Sequence, residues 1–133
     1  MNKHARRRSR GFTLIELLVV LAIIATLLTV AVPSYFSSMD NAKETALRKD
    51  LSVMREAIDQ YHGDKGKYPA NLDELVSARY LRSIPVDPIT GATDQWAVET
   101  ASSGAGAEAT TGVRDVKSGA PGNAKDGTAY ASW

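Results

Sequence analysis

Glu16 is a carboxylate in a place that disfavours one. It is the only charged residue between Arg10 and Pro33, inside the run FTLIELLVVLAIIATLLTVAV at residues 12–32. At the centre of a membrane helix a charged side chain costs roughly 2.5–3.5 kcal/mol on insertion scales, and less near an interface. One reaction would give it a partner. A cut between Gly11 and Phe12 on the cytosolic side would create an α-amino group with a reference pKa of about 7.7–8.0, largely protonated at neutral pH. Glu16 lies four residues further on, one helical turn along the same face. Either charge alone is a penalty in apolar packing, whereas together they satisfy each other, most readily between neighbouring chains. A buried pair of this kind sets the axial register of one chain on the next more than it adds stability. The alternative is a glutamate that snorkels to the membrane interface or pairs with Arg10.

The elements that must position these groups follow from charge and hydropathy. The 133-residue chain has a formal net charge of +1, unevenly spread. Residues 1–11 hold Lys3, Arg6, Arg7, Arg8 and Arg10 and no acid, so the other 11 basic residues face 15 acids and residues 12–133 carry −4. A basic arm against an apolar run fits the positive-inside rule better than a nucleic-acid site, and no nucleic-acid partner is expected. As a helix, residues 12–32 would span roughly 31 Å, the hydrocarbon thickness of a bilayer. The N-terminus would then stay in the cytosol while the remainder crosses. A secretory signal cut near Ala31 is the weaker reading. The absence of cysteine excludes disulfides, a thiolate nucleophile and Cys-based zinc sites.

Beyond Pro33 the pattern becomes amphipathic. Leu47, Leu51, Met54, Ile58 and Tyr61 recur at helical spacing, with Met39 and Ala42 extending that face upstream and charged residues between. Gly63 is expected to end this helix, and Pro33 to kink it. Asn71 and Glu74 form a capping-box pattern before a short helix over about 72–78. IPVDPITG reads as a turn-rich connector, QWAVET and GVRDVKS as strands, and ASSGAGAEATTG between them as a loop. So little chain follows the long helix that it must pack on Leu47–Tyr61. Trp96 and Trp133 are expected to fill the gap between helix and sheet, and His62 to be a helix-end residue. The charges on the long helix read as a solvated face with pairs such as Glu44–Arg48. No Ser/His/Asp arrangement suggests nucleophilic catalysis.

RGFTLIELLVVLAIIATLLTVAVPSY closely resembles the class III signal segment of type IV pilins and type II secretion pseudopilins. KYPANLDELVSARYLRSIPVDPITG and GVRDVKSGAPGNAKDGTAYASW are similar to regions of the G-type, or major, pseudopilins. The resemblance implies an α+β fold: a long N-terminal helix, membrane-spanning in its first half and kinked at Pro33, packed on a small antiparallel sheet. It implies a cytosolic leader over 1–11, a transmembrane or filament-core helix over 12–33, and a periplasmic amphipathic helix with a small C-terminal domain over 34–133. A prepilin peptidase would cut between Gly11 and Phe12 and N-methylate Phe12. Phe12, Glu16 and Pro33 would be the assembly residues. The implied partners are further copies in a helical filament, minor pseudopilins, the peptidase, the inner-membrane platform and its ATPase, and the bilayer before assembly. No catalytic role is implied for the chain itself.

G-type pseudopilins also hold calcium in a C-terminal loop. The matching oxygen donors would be Asp115, Ser118, Asn123 and Asp126, but Asp126–Gly127 equally suits an ordinary turn, which is the favoured reading. Two other functions stay open at this point: a type IV or competence pilin for adhesion, motility or DNA uptake, and an anchored periplasmic binding domain that never polymerises.

Overall fold

The computed structural model describes residues 9–104, 106 and 109–133. Residues 1–8, part of the leader expected over 1–11, with Lys3, Arg6, Arg7 and Arg8, lie outside the described residues. Element order is α1 (Leu14–Lys65), α2 (Leu72–Ser77), β1 (Trp96–Ser103), β2 (Thr110–Ser118) and a C-terminal 3₁₀ turn (Tyr130–Ser132). This is the expected α+β arrangement. The chain divides into two compact units at Ser38/Met39.

Helix α1 starts at a side-chain cap, because Thr13 Oγ1 accepts from the Glu16 N–H at 3.2 Å. Pro33 lies inside the helix without ending it. It has no N–H to offer the Thr29 carbonyl one turn back. Two threonine hydroxyls in this stretch bond back to the helix, Thr26 to the Ala22 carbonyl at 2.8 Å and Thr29 to that of Thr26 at 2.6 Å. They hide their polarity from the apolar surroundings.

In the unit from Met39 onward, α1 buries Leu47, Leu51, Met54, Ala57, Ile58 and Tyr61. These pack with Leu72, Leu75, Leu81, Trp96, Val113 and Val116 in one core. The buried face begins at Leu47; Met39 and Ala42, expected to extend it, are exposed. Gly63 does not end the helix. The terminator is Gly66, at φ +69°, whose N–H bonds to the His62 carbonyl at 2.9 Å. A C-terminal residue in the left-handed region favours glycine. Contacts beyond Gly63 hold the last turn, with Tyr80 OH donating to Asp64 at 2.7 Å and the His62 ring stacked 4.1 Å from Tyr68.

Helix α2 is capped as expected, with Asn71 Oδ1 accepting from the Glu74 N–H at 2.9 Å. The Glu74 carboxylate reaches back to the Ala70 N–H and also takes the Tyr61 hydroxyl. Strands β1 and β2 pair antiparallel from Trp96–Ser118 to Ser103–Thr110. Their register slips between Glu99 and Thr100, because Glu99 faces Asp115 and Thr100 faces Val113, leaving Arg114 as the extra residue of a bulge. Strict alternation would put Val113 and Val116 on opposite faces; across the bulge both are buried. Arg55 ties α1 to β2, its Nε on Asp115 Oδ1 at 2.8 Å and its Nη2 on the Val116 carbonyl at 2.9 Å.

Candidate assembly site

Every described residue from 9 to 43 is exposed, although the helix they enter is apolar around its whole circumference through residue 32. It is long and apolar enough to cross a membrane by length and composition. Phe12 is 87% exposed and Leu14 77%, at the tip where a processing cut would fall. Burying a side chain of this size is worth about 1.5–3 kcal/mol. A surface this apolar and this long needs lipid or other helices around it.

Arg10, Gly11, Phe12 and Glu16 line one open depression at the start of α1. The residues expected at the processing and assembly points thus lie together, while Pro33 lies further along the same helix. Arg10 and Glu16 share that depression with no ion pair between them among the described residues. Glu16 is also the third residue of α1, in the pattern Thr13-x-x-Glu16 of a capping box. A carboxylate there is favoured by the helix dipole. The T-x-x-E spacing of Thr13 and Glu16 is the sequence signal for this cap.

The four oxygen donors considered for calcium are placed differently. Asp115 Oδ1 is taken by Arg55 and by the Val116 N–H at 2.7 Å. Ser118 is fully buried; its hydroxyl donates to Asp87 at 2.8 Å and accepts from the Ala120 N–H at 3.1 Å. Asn123 pairs through its backbone with Ala129. Asp126 bonds Arg48 at 3.3 Å and the Thr128 N–H at 2.9 Å. Hydrogen bonds from the Thr128 hydroxyl and N–H, and then the Arg48 charge, hold its carboxyl below the usual range. Asp115 and Asp126 share an open depression with Arg48, Arg55 and Lys117. Calcium requires six to eight oxygens, and among the described residues no three His, Cys, Asp or Glu gather to supply them. The residues present do not fit the ion.

Sequence reasoning overlooked Asp87, which is fully buried within the connector IPVDPITG, read only as turns. Its Oδ1 accepts from Ile89 N–H at 2.8 Å and Thr90 N–H at 3.3 Å, and its Oδ2 takes Ser118. An Asp two residues before an acceptor-seeking N–H is a turn signal, but only the fold buries it. Glu44 and Arg48 do not form the expected pair on a solvated face. Glu44 accepts from the Lys125 N–H and Tyr130 OH, both at 3.0 Å, and Arg48 turns to Asp126. Trp96 fills the core as expected, its Nε1 on the Pro85 carbonyl at 2.9 Å, and Trp133, half-buried, packs against the edge of that core under Arg48.

A capped apolar helix with an acid in its first turn, continuing into an amphipathic half packed on a small antiparallel sheet, defines the pilin-like class of α+β proteins. Comparison with known proteins narrows this. The family model described as the prokaryotic N-terminal methylation motif matches residues 6–32. Type II secretion system core protein G of Pseudomonas aeruginosa is 35% identical over 99 residues, covering 62% of this chain and 70% of the relative. The core protein G of Klebsiella pneumoniae is 33% identical over 98 residues, with 62% and 70% covered. A type IV wide pilus major component of Thermus thermophilus is 36% identical over 81 residues, 61% of each chain. No solved structure matches. The chain belongs to the type II secretion system core protein G family of the pilin and pseudopilin superfamily.

Proposed function

We propose that the chain is the structural subunit of a type II secretion pseudopilus, polymerising through α1 to drive protein export across the outer membrane. The observation that carries this is the apolar helix with no covered residue from 9 to 43, joined to the methylation motif. In the precursor, residues 12–32 cross the inner membrane with the basic arm in the cytosol and the domain in the periplasm. A prepilin peptidase cuts between Gly11 and Phe12 and methylates the new amine. Glu16 then meets the Phe12 amine of the preceding subunit. The platform and its ATPase lift the helix out of lipid, and each helix exchanges lipid for its neighbours, keeping its apolar contacts. Head-to-tail contacts of this heterologous kind grow an open helix. The chain catalyses nothing; it is the peptidase's substrate. The similarity to a type IV pilus component supports a surface pilus as the second reading.

The experiment is the mass of the N-terminal peptide from protein purified from its host. N-methylated Phe12 is expected; an intact Met1 or a cut near Ala31 overturns the filament. Glu16→Gln separates the two roles of that residue, since glutamine also serves in a capping box but carries no charge. Glu16→Gln is expected to fold and insert normally yet yield no filaments by electron microscopy, like Glu16→Leu. Normal filaments from Glu16→Gln would reduce Glu16 to a cap. Deleting the gene distinguishes the readings: lost exoprotein secretion marks a pseudopilus, lost surface fibres a pilus.

A further inference from the structure

We infer that this chain fastens its C-terminal loop, residues 119–133, to α1 through Glu44 and Arg48, and folds that loop without calcium. The fastening uses groups from both sides. Glu44 Oε1 accepts from the Lys125 N–H and the Tyr130 hydroxyl at 3.0 Å each. One turn further along α1, the Arg48 guanidinium lies 3.7 Å from the centre of the Trp133 ring and donates to Asp126 at 3.3 Å. A guanidinium over an indole face is the most favourable cation–π geometry. Trp133 is fixed edge-on to Tyr130 at 5.3 Å between centroids, and its Nε1 donates to the Thr128 hydroxyl at 2.7 Å. That hydroxyl in turn donates to Asp126. Arg48, Trp133, Thr128 and Asp126 therefore close a ring of contacts that uses both carboxylate oxygens of Asp126.

The loop's own backbone is also closed. Ala124 N–H bonds the Thr128 carbonyl at 2.7 Å, Gly127 N–H that of Ala124 at 3.0 Å, and Tyr130 N–H that of Gly122 at 3.2 Å. Gly122 and Gly127 supply positive φ, +91° and +86°. Both Asp126 oxygens, Asp115 Oδ1 and the carbonyls of Gly122, Ala124 and Thr128 already accept from protein donors, and Arg48, Arg55 and Lys117 line the same depression as the two carboxylates. A divalent ion there would have to displace Arg48 from Asp126 and approach three cations. The inference does not depend on filament assembly, because it concerns contacts within one chain.

Both tryptophans, Trp96 and Trp133, lie in the unit from Met39 onward, so thermal unfolding of the full chain in detergent micelles is followed by tryptophan fluorescence. The midpoint is expected to be the same in EDTA, in magnesium chloride and in calcium chloride. A midpoint that rises in calcium over magnesium overturns the inference; a hundredfold excess over the dissociation constant of a bound ion would raise it by about 10–20 °C in a unit of this size. That comparison needs no variant. Arg48→Ala is expected to lower the midpoint and increase acrylamide quenching of Trp133, equally with and without calcium. Unchanged quenching, or recovery of the variant by calcium, also overturns it.

Discussion

At Glu16 a capping position and an isolated charge coincide, and the two ask for different things. The cap needs an acceptor of the right reach three residues after Thr13, whereas register between chains needs a negative charge with no partner in its own chain. The exposed depression shared with Arg10, Gly11 and Phe12 holds no ion pair for Glu16 among the described residues, which is the condition that pairing with a neighbouring chain would need. Asp87 is the opposite case, a carboxylate whose partners all lie within its own unit. Removing it strands two N–H groups and the Ser118 hydroxyl in a buried site. Asp87→Ala is expected to cost about 2–4 kcal/mol, read as a fall in the chemical-denaturation midpoint with an unchanged slope.

The elements end where their backbone geometry permits, and not where composition first suggests. Helix α1 passes through Gly63 because Tyr80 and Tyr68 hold its last turn and Gly66 supplies the left-handed residue. Helix α2 ends in a Schellman motif: Arg79 N–H bonds the Val76 carbonyl at 3.1 Å and Tyr80 N–H that of Leu75 at 2.9 Å. Here the left-handed residue, at φ +67°, is Arg79 and not glycine. Arg79→Gly is therefore expected to raise stability by about 0.5–1 kcal/mol, measured as a higher unfolding midpoint. The bulge at Arg114 does for the sheet what these caps do for the helices, turning a periodicity of two into a surface that meets α1 with both valines.

For the whole molecule, acid stability follows from which carboxylates the fold favours. Hydrogen bonds from Tyr61 and then the Ala70 N–H hold Glu74 below the usual range, as Thr128 and Arg48 do Asp126. A depressed carboxyl means the unfolded chain binds protons more readily, so these groups stabilise the fold above the unfolded pKa and lose that contribution as pH falls through the folded one. The unfolding midpoint is expected to be flat near neutrality and to drop below about pH 4. Glu74→Gln should flatten that drop in a pH series, since it removes one of the titrating groups. The same molecule presents an exposed apolar helix start and a small domain with its own core, a division of labour suited to a subunit that polymerises by one end.

Much of this was legible in the sequence because it rests on local spacing. An apolar run of bilayer length, a lone acid four residues past Phe12, the Leu47–Tyr61 face and the Asn71–Glu74 cap are patterns over a few turns, and the fold keeps each of them. The two strands were visible for the same reason. What the tertiary structure alone decided involves residues far apart in the chain. Asp87 is buried because Ser118 reaches it, Glu44 and Arg48 part company because Tyr130, Asp126 and Trp133 compete for them, and Val113 joins Val116 through a register slip against β1. An (i, i+4) attraction between exposed charges is worth a few tenths of a kcal/mol, and partners brought in by the fold outbid it. Asp115 and Asp126 show the same limit: the family resemblance made them candidates for an ion, whereas the fold sets them against Arg55 and Arg48 of α1.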